Sequence, residues 1–181
     1  MGLNDEVGRR LRELRTARGL TLSELARRSG VGKGTLSELE SGTRNPTLET
    51  LYALTTALNR PLSAVLGGDL PPYTRQHEGA VFGSAVTAVL IERHENAEAV
   101  TDVFRITIAA GATQESAAHV AGTTESLMIL SGTAVVGTLD APGSVGPGES
   151  VCWPADTAHL YSAPHGDAHG ILFVRYPAAA L

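Results

Sequence analysis

The sequence predicts a two-domain chain: an all-α domain over residues 1–68, then an all-β sandwich or barrel over residues 77–181. Three observations predict it. Apolar residues recur at three- and four-residue spacing before Gly68 and afterwards fall in short β-rich runs broken by Gly and Pro. Charge changes at the same place. Up to Gly68 there are ten Lys+Arg and seven Asp+Glu, a formal +3; from Asp69 onward there are four and twelve, a formal −8. Between the two halves, Gly67-Gly68-Asp69-Leu70-Pro71-Pro72 can continue neither a helix nor a ladder, which marks residues 69–76 as a linker.

With 181 residues, 43% hydrophobic and 18% charged, the composition is that of a globular protein and excludes disorder as its description. One cysteine excludes an intramolecular disulfide framework and a Cys-rich zinc module, as expected of a protein in a reducing cytoplasm. No basic segment followed by an apolar stretch opens the chain, and no apolar run approaches the roughly 20 residues that span a bilayer, so no membrane is expected. The overall charge of −5 argues against nucleic acid, but its division reverses that argument for the first 68 residues.

The helices follow in order. Val7, Leu11 and Leu14 form one apolar stripe on a first helix that stops at Gly19. Thr21-Leu22-Ser23-Glu24 has capping-box spacing and opens a second helix, burying Leu22, Leu25 and Ala26 and ending at Ser29-Gly30. The tight turn Gly30-Val31-Gly32 leads to a third helix over Lys33–Glu40, with Leu36 and Leu39 inward and Gly42 closing it. Thr47 caps a fourth helix carrying Leu48, Leu51, Leu54 and Leu58, and Pro61 suits the first turn of a fifth with Leu62, Val65 and Leu66. Two short helices joined by a Gly-containing turn and packed by three others describe a helix-turn-helix domain.

The run Gly19-Leu20-Thr21, Glu24-Leu25-Ala26, Gly30-Val31, Thr35-Leu36-Ser37, Leu39-Glu40-Ser41-Gly42 and Asn45-Pro46-Thr47-Leu48 closely resembles the Xre/Cro type of bacterial repressor, a five-helix, lambda-repressor-like fold. The resemblance spans Val7 to Leu66. It implies that the Lys33–Glu40 helix enters the major groove while the Thr21–Ser29 helix crosses the backbone. Lys33, Gly34 and Ser37 would then face the bases with Glu38 at the edge. Thr21 and Thr35 join the DNA-facing set, and Arg44 and Asn45 lie near phosphates. Arg15 and Glu40 match an internal ion pair of such domains. Some positions depart from the pattern: Leu22 stands where glutamine is frequent, Gly32 and Gly34 carry no side chain, and Glu38 brings a negative charge. Phosphate contacts and DNA shape should therefore supply much of the affinity.

Beyond the linker, β-prone runs cover Val81–Leu90, Val103–Ile108, Leu127–Leu130, Ala134–Leu139, Ser150–Trp153, His159–Ser162 and Ile171–Tyr176. Turn-rich breaks separate them, among them Ala110-Gly111-Ala112, Ser131-Gly132, Ala141-Pro142-Gly143 and Gly146-Pro147-Gly148. Strands at this spacing without intervening helices predict a sandwich or barrel.

Two segments of this half resemble the cupin (double-stranded β-helix, jelly-roll) barrels: Gly111 … His119-x5-Glu125-x6-Gly132 and Gly148-x5-Pro154-x4-His159, within a motif core of residues 105–177. By that resemblance His119, Glu125 and His159 are candidate ligands for a divalent metal of the Zn, Fe, Mn or Ni kind. The family's further histidine is replaced by Ala121, and Asp156 stands where glycine is usual. Without a metal, the same residues would form a polar patch that hydrogen-bonds a small organic ligand directly. Arg105, a cation on an apolar strand, and Tyr161, on the same side of its strand as His159, are candidate lining residues of an effector pocket. Cys152 and Trp153 are read as core, His165 and His169 as a solvated loop, and His77 and His94 as surface groups.

An Xre-type domain joined to a cupin resembles a class of bacterial one-component regulators. The resemblance implies a homodimer on a palindromic double-stranded operator, with a small-molecule effector in the barrel. Two other readings stay open at this point: a cupin metalloenzyme, dioxygenase- or isomerase-like, with an appended helix-turn-helix; and a constitutive repressor whose barrel only dimerises.

Overall fold

A computed structural model describes residues 3–67 and 80–181. The proposed linker and His77 lie outside the described residues. Five helices come first: α1 (Leu3–Ala17), α2 (Leu22–Ser29), α3 (Lys33–Glu40), α4 (Leu48–Ala57) and the short α5 (Ser63–Leu66). Their starts and stops are set locally. The Thr21 and Thr47 hydroxyls accept the backbone N–H groups of Glu24 and Thr50, and Gly30 ends α2 in the left-handed region at φ 71°. The other half of the expected capping box is absent. Glu24 does not reach back to the backbone, because Arg27 and Arg28, one turn on, both hold its carboxylate at 2.8 Å. Gly8 lets α1 approach α3 closely, since a Cβ there would stand 2.3 Å from the Leu39 carbonyl oxygen.

Ten strands follow: β1 (Ala80–Phe82), β2 (Val86–Glu95), β3 (Ala99–Ile108), β4 (Thr113–Ser116), β5 (Thr124–Ser131), β6 (Ala134–Thr138), β7 (Gly143–Val145), β8 (Ser150–Pro154), β9 (His159–Ser162) and β10 (Ala168–Pro177). They form a six-stranded sheet ordered β1-β2-β3-β10-β5-β8 and a four-stranded sheet ordered β4-β9-β6-β7, antiparallel throughout. Two antiparallel sheets of this kind are the sandwich or barrel that the strand spacing predicts. Three strand expectations need correction. The run Val81–Leu90 is two strands, because Gly83 and Ser84 turn the chain between β1 and β2. The Thr113–Ser116 strand has no apolar run to announce it, and the Gly143–Val145 strand lies between two segments read as turns, taking Gly143 from the first.

Cys152 is exposed, not core: successive strand residues face opposite sides, so only Trp153 of the pair can point inward. Arg105 is likewise exposed, while its neighbours Phe104 and Ile106 are buried.

The cores of the two domains are continuous, running from Val7, Leu25, Leu51 and Leu54 through to Phe104, Leu127 and Tyr176. Specific bonds tie the seam. The Ser63 N–H donates to Asp102 Oδ2 at 3.0 Å, and the Leu62 N–H reaches the Tyr176 hydroxyl at 3.4 Å. Ser84 N–H donates to Glu49 Oε1 at 2.7 Å. Thus α4 and α5 hold the barrel, while α3 stays clear of these bonds.

Candidate functional site

Two sites can be built from these elements. The first is the outward face of α3. Leu36 and Leu39 are buried, which by helical periodicity turns Lys33, Gly34, Ser37 and Glu38 to solvent, and all four are exposed. Thr35 is half-buried. Thr21 is occupied as the α2 cap, Arg44 pairs with Glu38 at 3.0 Å, and Asn45 accepts a hydrogen bond from Asn4. Behind this face, Arg15 binds Glu40 through two bonds of 2.6 and 2.8 Å and donates a third to the Leu20 carbonyl at 2.8 Å. That pair is a strut, as the sequence reading expects.

The second site is inside the barrel. Glu125 comes from β5, opposite Trp153 of β8, and His159 from β9 on the facing sheet. His119 lies between β4 and β5, held by its N–H bond to the Ala155 carbonyl at 2.8 Å. The nitrogen and oxygen atoms that could ligate a metal lie within 4.8 Å of one another, and all three residues are buried. His119 Nε2 is 3.0 Å from Glu125 Oε1, His159 Nε2 is 3.3 Å from Glu125 Oε2, and the Tyr161 hydroxyl also donates to Oε2. Burial pushes the Glu125 carboxyl pKa up. The His119 hydrogen bond, the two imidazoles and the Tyr161 hydroxyl outweigh burial and hold it below the usual value. Burial, and then the Glu125 charge, push the Tyr161 phenol well above its usual range.

The tautomers carry the chemistry. His159 Nδ1 lies 2.9 Å from the Thr157 carbonyl, which can only accept, so Nδ1 must donate. In the neutral ring Nε2 is then an acceptor, and it faces a carboxylate oxygen without making a hydrogen bond. Two acceptors facing each other in a buried site require a proton or a cation between them. His119 Nδ1 is also buried without a partner among the described residues. Two imidazoles, one carboxylate and a carbonyl that orients one ring make a donor set suited to a divalent ion. Ala121, exposed, offers no fourth ligand, and Asp156 is engaged elsewhere, accepting from the Gly122 N–H at 2.8 Å.

Sequence reasoning missed Tyr52. It projects from α4 into the barrel mouth and stacks on His119, with ring centroids 4.1 Å apart and planes 17° from parallel. Desolvation, then the Glu125 and Asp102 charges, raise its phenol well above the usual value. An aromatic among the leucines of α4 reads as core of the helical domain, and nothing in its spacing signals the second domain.

The helix-turn-helix model HTH_3 matches residues 11–65. An HTH-type transcriptional regulator of Sinorhizobium fredii, y4dJ, is 47% identical over 58 residues, which cover 32% of this chain and 75% of that protein. The chain belongs to the helix-turn-helix transcriptional regulators. The similarity extends beyond the first domain. The HTH-type transcriptional regulator SutR of Escherichia coli is 29% identical over 170 residues, 92% of this chain and 93% of that one. The fold of this regulator is shared along its length by an HTH_3 family transcriptional regulator from Vibrio cholerae, with a TM-score of 0.79, 24% identity and 97% coverage of both chains.

In this helix-turn-helix regulator, then, His119, Glu125 and His159 are brought together and Tyr161 shares their space. Arg105 is not: strand alternation carries it to the outer face of the sheet. His94 and His169 are exposed, the latter on β10 with its Nδ1 3.1 Å from the Thr107 hydroxyl.

Proposed function

We propose that this regulator is ligand-responsive: it binds a palindromic operator as a homodimer through α3, and its barrel senses a small molecule. Lys33, Gly34, Thr35, Ser37 and Glu38 would lie along the major groove, with Thr21, Arg44 and Asn45 toward the backbone. His119, Glu125 and His159 would hold a divalent ion, which would supply a Lewis acid at the base of the barrel mouth. The residues of the chain do the rest. Thr157 fixes the His159 ring, Tyr161 holds Glu125 in place, and Tyr52 covers His119 from the side of the helical domain.

One observation carries the reading. The exposed face of α3 belongs to the same small domain whose α4 and α5 are bonded to the barrel mouth. A change at the mouth would therefore reach the reading helix indirectly, through α2, which packs on both α4 and α3, and through α1, which packs on both α5 and α3. An operator read by two copies demands recognition helices about 34 Å apart, so a modest rearrangement changes affinity.

The test is a gel-shift titration of the full-length protein against DNA from upstream of its own gene, with sedimentation in parallel. A dimer that shifts this DNA, with Lys33→Ala weakening the shift several-fold, supports the reading. No shift at low salt, with Lys33→Ala equally inert, overturns it.

A further inference from the structure

Among the described residues, the space beside His119 and Tyr161 has no room for an organic effector while the two domains hold this arrangement. Leu48 and Tyr52 of α4 fill the mouth, and the remaining space of about 10 Å³ accommodates one water at most. Immediately outside lies a much larger space. A cleft of about 450 Å³ runs between α4 and the end of β4, within the range of small-molecule sites.

We propose that this interdomain cleft is the effector site and that it takes a small zwitterion, of amino-acid size, carrying both an ammonium and a carboxylate. Glu49, Tyr52 and Ala53 form one wall, Glu115 and His119 the other, and Arg28 comes from the last turn of α2. From position 49 to position 57 the α4 wall rises about 12 Å, enough for a molecule of that length.

The charges select the ligand. Glu49 sits beside β4: its Oε1 takes the Ser84 N–H, and a Cβ on Gly83 would meet both this oxygen and Gln114, the neighbour of Glu115. Glu49 and Glu115 both line the cleft, from facing elements, and give it two carboxylates. Arg28 adds one guanidinium, which shares Glu24 with Arg27. A purely anionic ligand would meet both glutamates and a purely cationic one would meet Arg28. A zwitterion complements both signs. Alanines at 53, 57, 117 and 118 leave apolar wall for a short side chain. At the floor, His119 is buried and its Nδ1 has no hydrogen-bond partner among the described residues.

The site also explains how binding would reach DNA. Arg28 and Ser29 end α2, and the turn after them leads directly into α3. A molecule held between Arg28 and β4 fixes the helix that precedes the reading helix against the barrel. This last step rests on the regulator reading above; occupancy of the cleft does not.

The experiment uses the full chain and two separate readouts. Proteinogenic amino acids are screened singly at millimolar concentration by thermal unfolding, and those that stabilise are followed by calorimetric titration. Each is compared with its N-acetyl and its amide derivative, which remove one charge apiece. The proposal expects at least one amino acid to raise the melting temperature with concentration, and neither derivative to do so. Arg28→Gln, an exposed change, and Ala53→Phe, which fills the cleft, should each weaken binding about tenfold or more. Absence of binding by every amino acid overturns the proposal, as does equal binding by both derivatives or by both variants. Operator gel shifts distinguish the two readings. Operator binding without amino-acid binding sinks the cleft site alone. Amino-acid binding that leaves operator affinity unchanged supports the site and sinks its regulatory link.

Discussion

Arg15–Glu40 in the helical domain and His119–Glu125–His159 in the barrel are both charged clusters set in apolar surroundings, and they differ in completeness. Glu40 receives two guanidinium bonds and Arg15 spends a third on a backbone carbonyl. In the barrel, His119 Nδ1 and His159 Nε2 have no hydrogen-bond partner among the described residues. A native fold rarely leaves buried polar atoms unpaired, so the first cluster reads as structure and the second as a place for something else. Between them stands Asp102 at the seam, with Oδ2 bonded to the Ser63 N–H and Oδ1 without a hydrogen-bond partner among the described residues.

The largest effect is expected where completeness is greatest. Glu40→Ala leaves the Arg15 guanidinium facing an emptied, largely buried site and should cost about 2–4 kcal/mol. Chemical denaturation followed by circular dichroism reads it. A loss below about 1 kcal/mol, the range of exposed pairs, would mean that the cluster is not the strut described here.

Asp102 should come next. Asp102→Ala deprives the buried Ser63 N–H of its acceptor and should cost about 1–3 kcal/mol. The wild-type residue should also make stability depend on pH. Desolvation raises its pKa from 3.8 to about 6, against the opposing bonds from Ser63 and the charge of Arg93. The folded protein therefore retains a proton that the unfolded chain has released. This contribution is fully present below about pH 4 and is lost as pH rises to about 6. Thermal unfolding across that window should show the loss in the wild type and a flatter profile in Asp102→Asn, which keeps an acceptor for Ser63.

These positions also show what the sequence reveals and what it hides. Thr21, Thr47, Gly30 and the leucine spacing of α1 to α4 are legible because caps and helical stripes depend on neighbours within one turn. Glu125 and His159 are legible through motif spacing. Cys152 and Arg105 are not, because the phase of a strand is set by pairing with a distant partner. Tyr52 and Asp102 are least legible. Each sits on an element whose own pattern is satisfied, and its role comes from a partner in the other domain, His119 for Tyr52 and Ser63 for Asp102.

Glu125→Gln inverts the expectation for Glu40. The amide oxygen can accept from His119, and the amide N–H can donate to the orphaned His159 Nε2. Metal-free stability should stay within about 1 kcal/mol of wild type or rise, because a buried charge has been removed. Metal affinity should fall about 100-fold or more, since one of three ligands is lost. Trp153, the single tryptophan, has its ring centroid 6.4 Å from that of His159, so quenching of its fluorescence by Ni²⁺ or Mn²⁺ reports occupancy. Equal quenching in the variant would show that the ion is held elsewhere.

Gly34 is the limiting case, a position with no side chain at all. It is the second residue of α3, and a Cβ there meets nothing within 4 Å. In a helix, replacing glycine recovers about 0.5–1 kcal/mol of backbone entropy, and an acid in the first turn gains a little more from the helix dipole. Gly34→Glu should therefore leave the fold unchanged or slightly stabilised. On DNA the same carboxylate would face phosphates and base edges of the major groove, and operator affinity should drop about tenfold or more. Stability and binding would then move in opposite directions, a result that a damaged fold cannot produce. Unchanged operator affinity in a stabilised Gly34→Glu would mean that α3 is not the helix that reads DNA.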